Sequence, residues 1–294
     1  MVSDASAAST GESESAVGFD GPPTLIASDV DGTLIDDQNT VSPFTIGVLG
    51  AACDAGTEFV LATGRPPRWI AEITDQFPGS AVNVRYAVCA NGAIIYDVAN
   101  DKIVYSALLQ TDRLAVLREV IARCLPDAGV AGERVGSSEF DAATPPFVAT
   151  AGYRHAWLNP DHIEVGDDEV YSEPVVKLLV RQPDLASGEM ARRLLPEVDG
   201  IAQVTFSTDN GLIELSVPDT HKASGLDKLI DLAGLSCERT VAFGDMPNDV
   251  EMLTWAGHGV AMGHAHPAAI AAADEVTVGN NEDGVARVLA RWFG

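Results

Sequence analysis

The chain has 294 residues, 46% of them hydrophobic, enough to build one large domain or two ordinary ones. Its 43 acidic residues outnumber 18 basic ones and give a net charge of −25, which excludes partners that demand a basic surface, such as nucleic acid or an anionic membrane. An anionic ligand would have to meet local cations, or a metal, that reverse the sign of this field.

Residues 1–19 are rich in Ser, Ala and Glu and lack the basic and apolar stretches of a secretory signal, so an acidic disordered tail is expected. No later run approaches the ~18–20 apolar residues that span a bilayer. Cys53, Cys89, Cys124 and Cys237 are scattered, as expected for reduced thiols in a soluble cytoplasmic protein. The first strand is expected at Thr24–Ser28, ending directly at Asp29. A helix follows from Ser42, as N-cap, to Ala55, with Pro43 at its first position and Gly56 just past its end. Glu58–Ala62 reads as a strand stopping at Thr63-Gly64-Arg65-Pro66, and a helical stretch leads on to a strand at Tyr86–Ala90 and the turn Asn91-Gly92. Short strands around 93–96 and 103–105 precede a helix from Asp112 to Cys124. Residues 126–173 are Gly/Pro-rich and weakly periodic. Beyond them come a strand at Val175–Val180, a helix at Ser187–Leu195, a hairpin of 201–207 and 212–217 over Asp209-Asn210-Gly211, and a strand at Thr240–Phe243 that runs into Gly244-Asp245.

Apolar runs alternating with helices predict a Rossmann-like, doubly wound α/β core with a mainly parallel sheet, and the paired strands in the middle predict an inserted α+β cap. The expected boundaries are 20–107 and 217–294 for the core and 108–216 for the cap. Asp29, Asp31, Thr63, Asp245 and Asp249 all fall at or just beyond the C-terminal ends of strands, where ligands bind in open parallel sheets. One Asp at such a place is ordinarily a cap or turn residue; two tight pairs crowd carboxylates that repel one another and call for a cation. An all-oxygen donor set fits a hard ion such as Mg²⁺ better than zinc. Asp29-Val30-Asp31-Gly32 is not a calcium loop, because the glycine comes at the fourth position and no Glu stands at the twelfth.

With Asp29-Val30-Asp31-Gly32-Thr33-Leu34, Thr63-Gly64-Arg65, Lys222 and Gly244-Asp245-Met246-Pro247-Asn248-Asp249 in this order, the chain resembles the haloacid dehalogenase-like hydrolase superfamily. The insertion between the second and third motifs resembles the large cap of its Cof-like sugar-phosphatase branch, and 280–285 resembles the closing segment of that branch. One departure is Lys222-Ala223 where the family often has Lys-Gly. The resemblance implies a phosphatase in which Asp29 is the nucleophile and Asp31 the general acid and base. It further implies that Thr63, Gly64, Lys222 and Asn248 bind the phosphoryl group, and that Asp29, Asp31 (through its carbonyl), Asp245 and Asp249 hold Mg²⁺. The substrate it implies is a small phosphorylated metabolite such as a sugar phosphate. A phosphomutase of the same superfamily and a non-catalytic metabolite-binding protein are the alternatives. Arg65 either caps structure or touches substrate, His264 and His266 read as surface residues, and Arg154 and His155 are minor candidates for the leaving-group side.

Overall fold

A computed structural model of the chain describes residues 20–135, 145–154 and 162–294; the tail 1–19, His155 and Trp157 lie outside the described residues. In chain order the strands are β1 (Leu25–Ser28), β2 (Glu58–Ala62), β3 (Tyr86–Cys89), β4 (Ile94–Asp97), β5 (Lys102–Ser106), β6 (Gly129–Glu133) and β7 (Phe147–Thr150). They continue with β8 (His162–Val165), β9 (Lys177–Arg181), β10 (Gln203–Thr205), β11 (Leu212–Ser216), β12 (Thr240–Gly244), β13 (His258–Ala261) and β14 (Glu275–Val276).

Eight of these form one sheet in the order β14-β13-β12-β1-β2-β3-β4-β5. From β14 to β3 the pairing is parallel; β4 and β5 add an antiparallel edge. The inner strands are apolar at nearly every position because both faces are covered. Ile26, Phe59, Leu61, Val241 and Phe243 pack on the helices Pro43–Asp54 and Gly284–Phe293. Leu25, Ala27, Val60, Ala62 and Ala242 face the other way, onto Leu226 and Leu229 of the helix Lys222–Ala233. Ser42 caps the helix Pro43–Asp54 by accepting the Thr45 N–H at 3.0 Å, as its sequence position predicts.

The second sheet runs β10-β11-β9-β6-β7-β8. Side chains alternate across it. Val130, Val148, Leu178, Val180, Ile213 and Leu215 pack on the helices Thr111–Cys124 and Ser187–Leu194. The intervening residues, among them Glu133, Lys177 and Glu214, lie on the opposite face, and these three reach residues of the first sheet's loops. The mixed α/β architecture with its mainly parallel sheet agrees with expectation. Two details differ. The helix expected after Pro66 is broken into the turns Pro67–Trp69 and Ala71–Thr74, and the weakly periodic stretch holds β6, β7 and β8. Gly129-Val130-Ala131-Gly132 has little intrinsic strand preference, but its glycines let β6 sit flush against Tyr153 and Val175, so packing overrides propensity. No helix among the described residues is long and apolar enough to cross a membrane.

Candidate active site

The chain winds outward from β1 in both directions, so β1 lies between β2 and β12, and the crevice at this switch point opens at the strands' C-terminal ends. Ser28 stands level with Leu61 on one side and Phe243 on the other. One or two residues farther along, the three strands deliver Asp29, Thr63 and Asp245 side by side, with strands only about 4.8 Å apart. Sequence gaps of more than two hundred residues close here through register alone.

Asp29 enters on extended backbone with its N–H bonded to the Phe243 carbonyl at 3.0 Å. The chain then folds back in a tight turn closed by the Ile35 N–H on the Val30 carbonyl. Gly32 makes the turn possible: its φ is +76°, and a Cβ there would lie 2.5 Å from Asp245 Oδ2. Thr33 Oγ1 donates to Asp245 Oδ1 at 3.1 Å.

Lys222, fully buried at the first turn of its helix, is 2.7 Å from Asp29 Oδ1 and 2.6 Å from Asp249 Oδ1. The helix start is fixed by a reciprocal cap in which His221 Nδ1 accepts the Ser224 N–H and Ser224 Oγ accepts the His221 N–H. It seats closely because Gly92 (φ +98°) has no Cβ to overlap the His221 carbonyl. Asp249 Oδ2 accepts the backbone N–H groups of Asp245 and Met246 at 3.0 and 2.9 Å. Both Asp249 oxygens therefore already have protein donors, whereas Asp29 and Asp245 have oxygens to spare.

Asp31 and Thr63 stand differently. The Asp31 side chain is 58% exposed and held by Arg65 in a two-pronged pair, Nε to Oδ2 at 3.0 Å and Nη2 to Oδ1 at 2.7 Å. Thr63 is buried, and its Oγ1 accepts the Arg65 N–H at 3.1 Å. Asn248 is buried, with Nδ2 donating to Asn91 Oδ1 at 3.1 Å and Oδ1 unpartnered. The carbonyl of Gly64 takes a bond from Lys177.

The electrostatics show an excess of negative charge. Burial first, then Asp249, with smaller contributions from Asp245 and Asp31, pushes the Asp29 carboxyl well above its ordinary range in spite of Lys222. Burial and Asp249 likewise push Asp245 up to about 7 against the opposing effects of Lys222 and the Thr33 hydrogen bond. Burial alone would lower Lys222, but Asp249 and Asp29 outweigh it and hold the ammonium above its usual range. Ligand oxygens of Asp29, Asp245 and Asp249 all lie within 4.8 Å of one another. Three buried carboxylates around one ammonium, all donors being oxygens, suit a hard divalent cation such as Mg²⁺.

A family model described as haloacid dehalogenase-like hydrolase matches residues 26–289, a span that holds every one of these residues. The chain belongs to the haloacid dehalogenase-like hydrolase family. Within it, a 5-amino-6-(5-phospho-D-ribitylamino)uracil phosphatase of Bacillus subtilis, YitU, is 31% identical over 92% of this chain and 98% of its own length. A phosphatase of the same name from Escherichia coli, YbjI, is 30% identical over 90% of this chain and 94% of its own. Among solved structures, a subclass IIB sugar phosphatase of the family superposes with a TM-score of 0.74 at 21% identity, over 91% of this chain and 98% of the other, and so shares the fold including the second sheet.

Some residues in and around this hydrolase site carried no sequence signal of their own. His264 Nε2 stands 3.7 Å from Asp245 Oδ2, although its side chain is 44% exposed and it was expected to be a plain surface residue. Arg65, for which the sequence offers either a capping role or substrate contact, pairs directly with Asp31 and Glu72. Asn91, Lys177 and Glu214 come to the site's edge from just past β3, from the start of β9 and from the middle of β11, which only the fold brings together.

Proposed function

We propose that this hydrolase is a Mg²⁺-dependent phosphatase of a small phosphorylated metabolite that works through an aspartyl-phosphate on Asp29. The observation that carries the reading is the buried set Asp29, Lys222, Asp245 and Asp249 beside Thr63 at the ends of three adjacent parallel strands. An Asp29 oxygen attacks phosphorus, the bond from phosphorus to the ester oxygen breaks, and Asp31 gives its proton to the departing alkoxide. Asp31 then takes a proton from a water that attacks the same phosphorus; the bond to Asp29 breaks and inorganic phosphate leaves. Lys222 holds Asp29 in line and offsets phosphoryl charge, while Thr63, Gly64 and Asn248 surround the phosphoryl oxygens. Mg²⁺, held by Asp29, Asp245 and the Asp31 carbonyl, would supply further neutralisation of the transferring group. Asp249 supports this arrangement by fixing Lys222 and the backbone of Asp245 and Met246. Asp31 reaches the ester by exchanging its pair with Arg65 for substrate contacts.

Residues 108–216 are proposed as the cap that covers the site and excludes water during transfer. A cytoplasmic setting accords with four unbridged cysteines. For the ester, the names of the relatives support 5-amino-6-(5-phospho-D-ribitylamino)uracil as the leading candidate, with sugar phosphates next. The test is phosphate release from a panel holding both classes, with and without Mg²⁺. Release from none of them would overturn the phosphatase reading, and an isomerised sugar phosphate without free phosphate would replace it with a mutase.

The carboxylates also predict how Mg²⁺ acts on stability. Asp245 titrates at about 7 in the fold against an ordinary 3.8, so between these values the folded state keeps a proton that the unfolded chain has lost. Stability without metal therefore falls as pH rises through this window and levels above it. Mg²⁺ competes with that proton, so its stabilisation should grow from pH 5.5 to pH 8. Thermal melts with EDTA or Mg²⁺ at both values check this; an equal shift at both would sink it.

A further inference from the structure

The polar groups that the second sheet sends toward the first include a buried ion pair. Lys177 on β9 and Glu214 on β11 are 2.7 Å apart, and both are almost wholly buried. On that face Leu179, Leu212 and Ala131 lie beside them, and the buried Glu133 stands directly across from Lys177 on β6 with its carboxylate paired to Arg68. A buried ion pair is commonly replaceable by apolar residues of similar volume without loss, whereas removing one partner is costly. What distinguishes this pair is what it touches outside the sheet. Lys177 Nζ donates to the Gly64 carbonyl at 2.9 Å, and Glu214 Oε2 accepts Asn91 Nδ2 at 2.5 Å.

Both contacts bear on one turn. Gly64 follows Thr63, and the Asn91 N–H donates to the Thr63 carbonyl at 3.0 Å. A Cβ at Gly64 would stand 3.2 Å from Asn91 Oδ1, so the two residues already lie against each other. The Gly64–Arg65 peptide is gripped at both ends: its carbonyl by Lys177, its N–H by Thr63 Oγ1. With that oxygen accepting the Arg65 N–H, the Thr63 hydroxyl hydrogen is left to donate outward. Glu214 also decides how the amides beyond it point. An ionised carboxylate only accepts, so Asn91 must turn its nitrogen to Glu214 and its oxygen to Asn248 Nδ2.

We propose that Lys177 and Glu214 are positioning residues for Thr63: by gripping the Gly64 carbonyl and the Asn91 amide they set the 63–65 turn so that the Thr63 hydroxyl donates to the phosphoryl group, and the donor array is complete only when the second sheet is seated on the first. The inference rests on the phosphatase reading and deepens it. The two sheets then act together, because the part that covers the substrate also shapes the loop that binds phosphate, and an ester entering an unseated cap meets an incomplete site.

The test is a double-mutant cycle of Lys177→Met and Thr63→Val on the full chain with Mg²⁺. Lys177→Met should lower kcat and kcat/KM together by roughly 10- to 100-fold, as expected for a donor displaced by a fraction of an ångström, with KM little changed. Added to Thr63→Val it should cost less than about threefold more, because the group it positions is already gone. Independent, multiplicative losses, or a change in KM alone, would overturn the proposal. If Lys177→Met does not fold, Lys177→Met with Glu214→Leu removes both charges and takes its place in the cycle. Orthovanadate binding by calorimetry follows the same cycle without turnover. A wild type that hydrolyses no ester thus defeats the phosphatase reading, while additive vanadate losses defeat the positioning role.

Discussion

Asp29→Asn is expected to slow phosphate release by on the order of 10⁴-fold or more while leaving the protein folded. The amide keeps the shape of the carboxylate, and its oxygen can still accept from Lys222, but it cannot attack phosphorus. Stability should not suffer in Mg²⁺-free buffer. Burial and the neighbouring carboxylates raise Asp29 in the fold, so above that raised value the wild type keeps a charge that the unfolded chain accommodates more easily. Asn imitates the protonated form and escapes this penalty at every pH. Melting at pH 8 without metal should then be no lower than that of the wild type. Phosphate release and thermal melts on the same preparation decide it: undiminished turnover removes Asp29 from the nucleophile's place, and loss of activity through unfolding makes it a structural residue instead.

Lys222→Met carries the second large effect, this time on stability as well as rate. The ammonium is fully buried and lies 2.7 and 2.6 Å from two carboxylates. Removing it leaves Asp29, Asp245 and Asp249 with no buried cation among them, and breaking a buried ion pair from one side typically costs about 3–5 kcal/mol. Against a total stability of about 5–15 kcal/mol that is a large share. The loss should shrink as pH falls from 8 toward 5, because carboxylates without their cation take up protons more readily. Mg²⁺ should restore part of it. Denaturant melts at both pH values, with and without Mg²⁺, read the effect; a variant as stable as the wild type at pH 8 without metal would mean that Lys222 does not neutralise this cluster.

Of the two residues these experiments change, Asp29 was legible from its local pattern, whereas Lys222 was legible only through the family resemblance. Asp29, Asp31, Thr63 and Asp245 each follow a short apolar run, and a polar residue at the end of a buried parallel strand is a local pattern. The core strands and the helix Pro43–Asp54 were equally legible, because continuous apolar runs and a Ser-Pro start are local signals too. The strands β6 to β8 were not, since Gly129, Ala131 and Gly132 favour a strand only where neighbouring backbone closes on them.

The sequence by itself determined that carboxylates and a threonine fall at the ends of apolar strands and that the motifs resemble those of the haloacid dehalogenase-like family, because residue type and strand-end placement are written within a few positions of one another. Tertiary structure decided which of the carboxylates are already satisfied by the protein. Asp249 is satisfied by Lys222 and two backbone N–H groups, while Asp29 and Asp245 keep oxygens free; this depends on burial and pairing, and no window of sequence holds it. It also decided that Lys177 meets Gly64 across 113 positions and that Asn91 meets Glu214 across 123. Such contacts pay the entropy of closing long loops through the cooperative packing of two sheets, so they leave no trace in local propensity and come into being only with the fold.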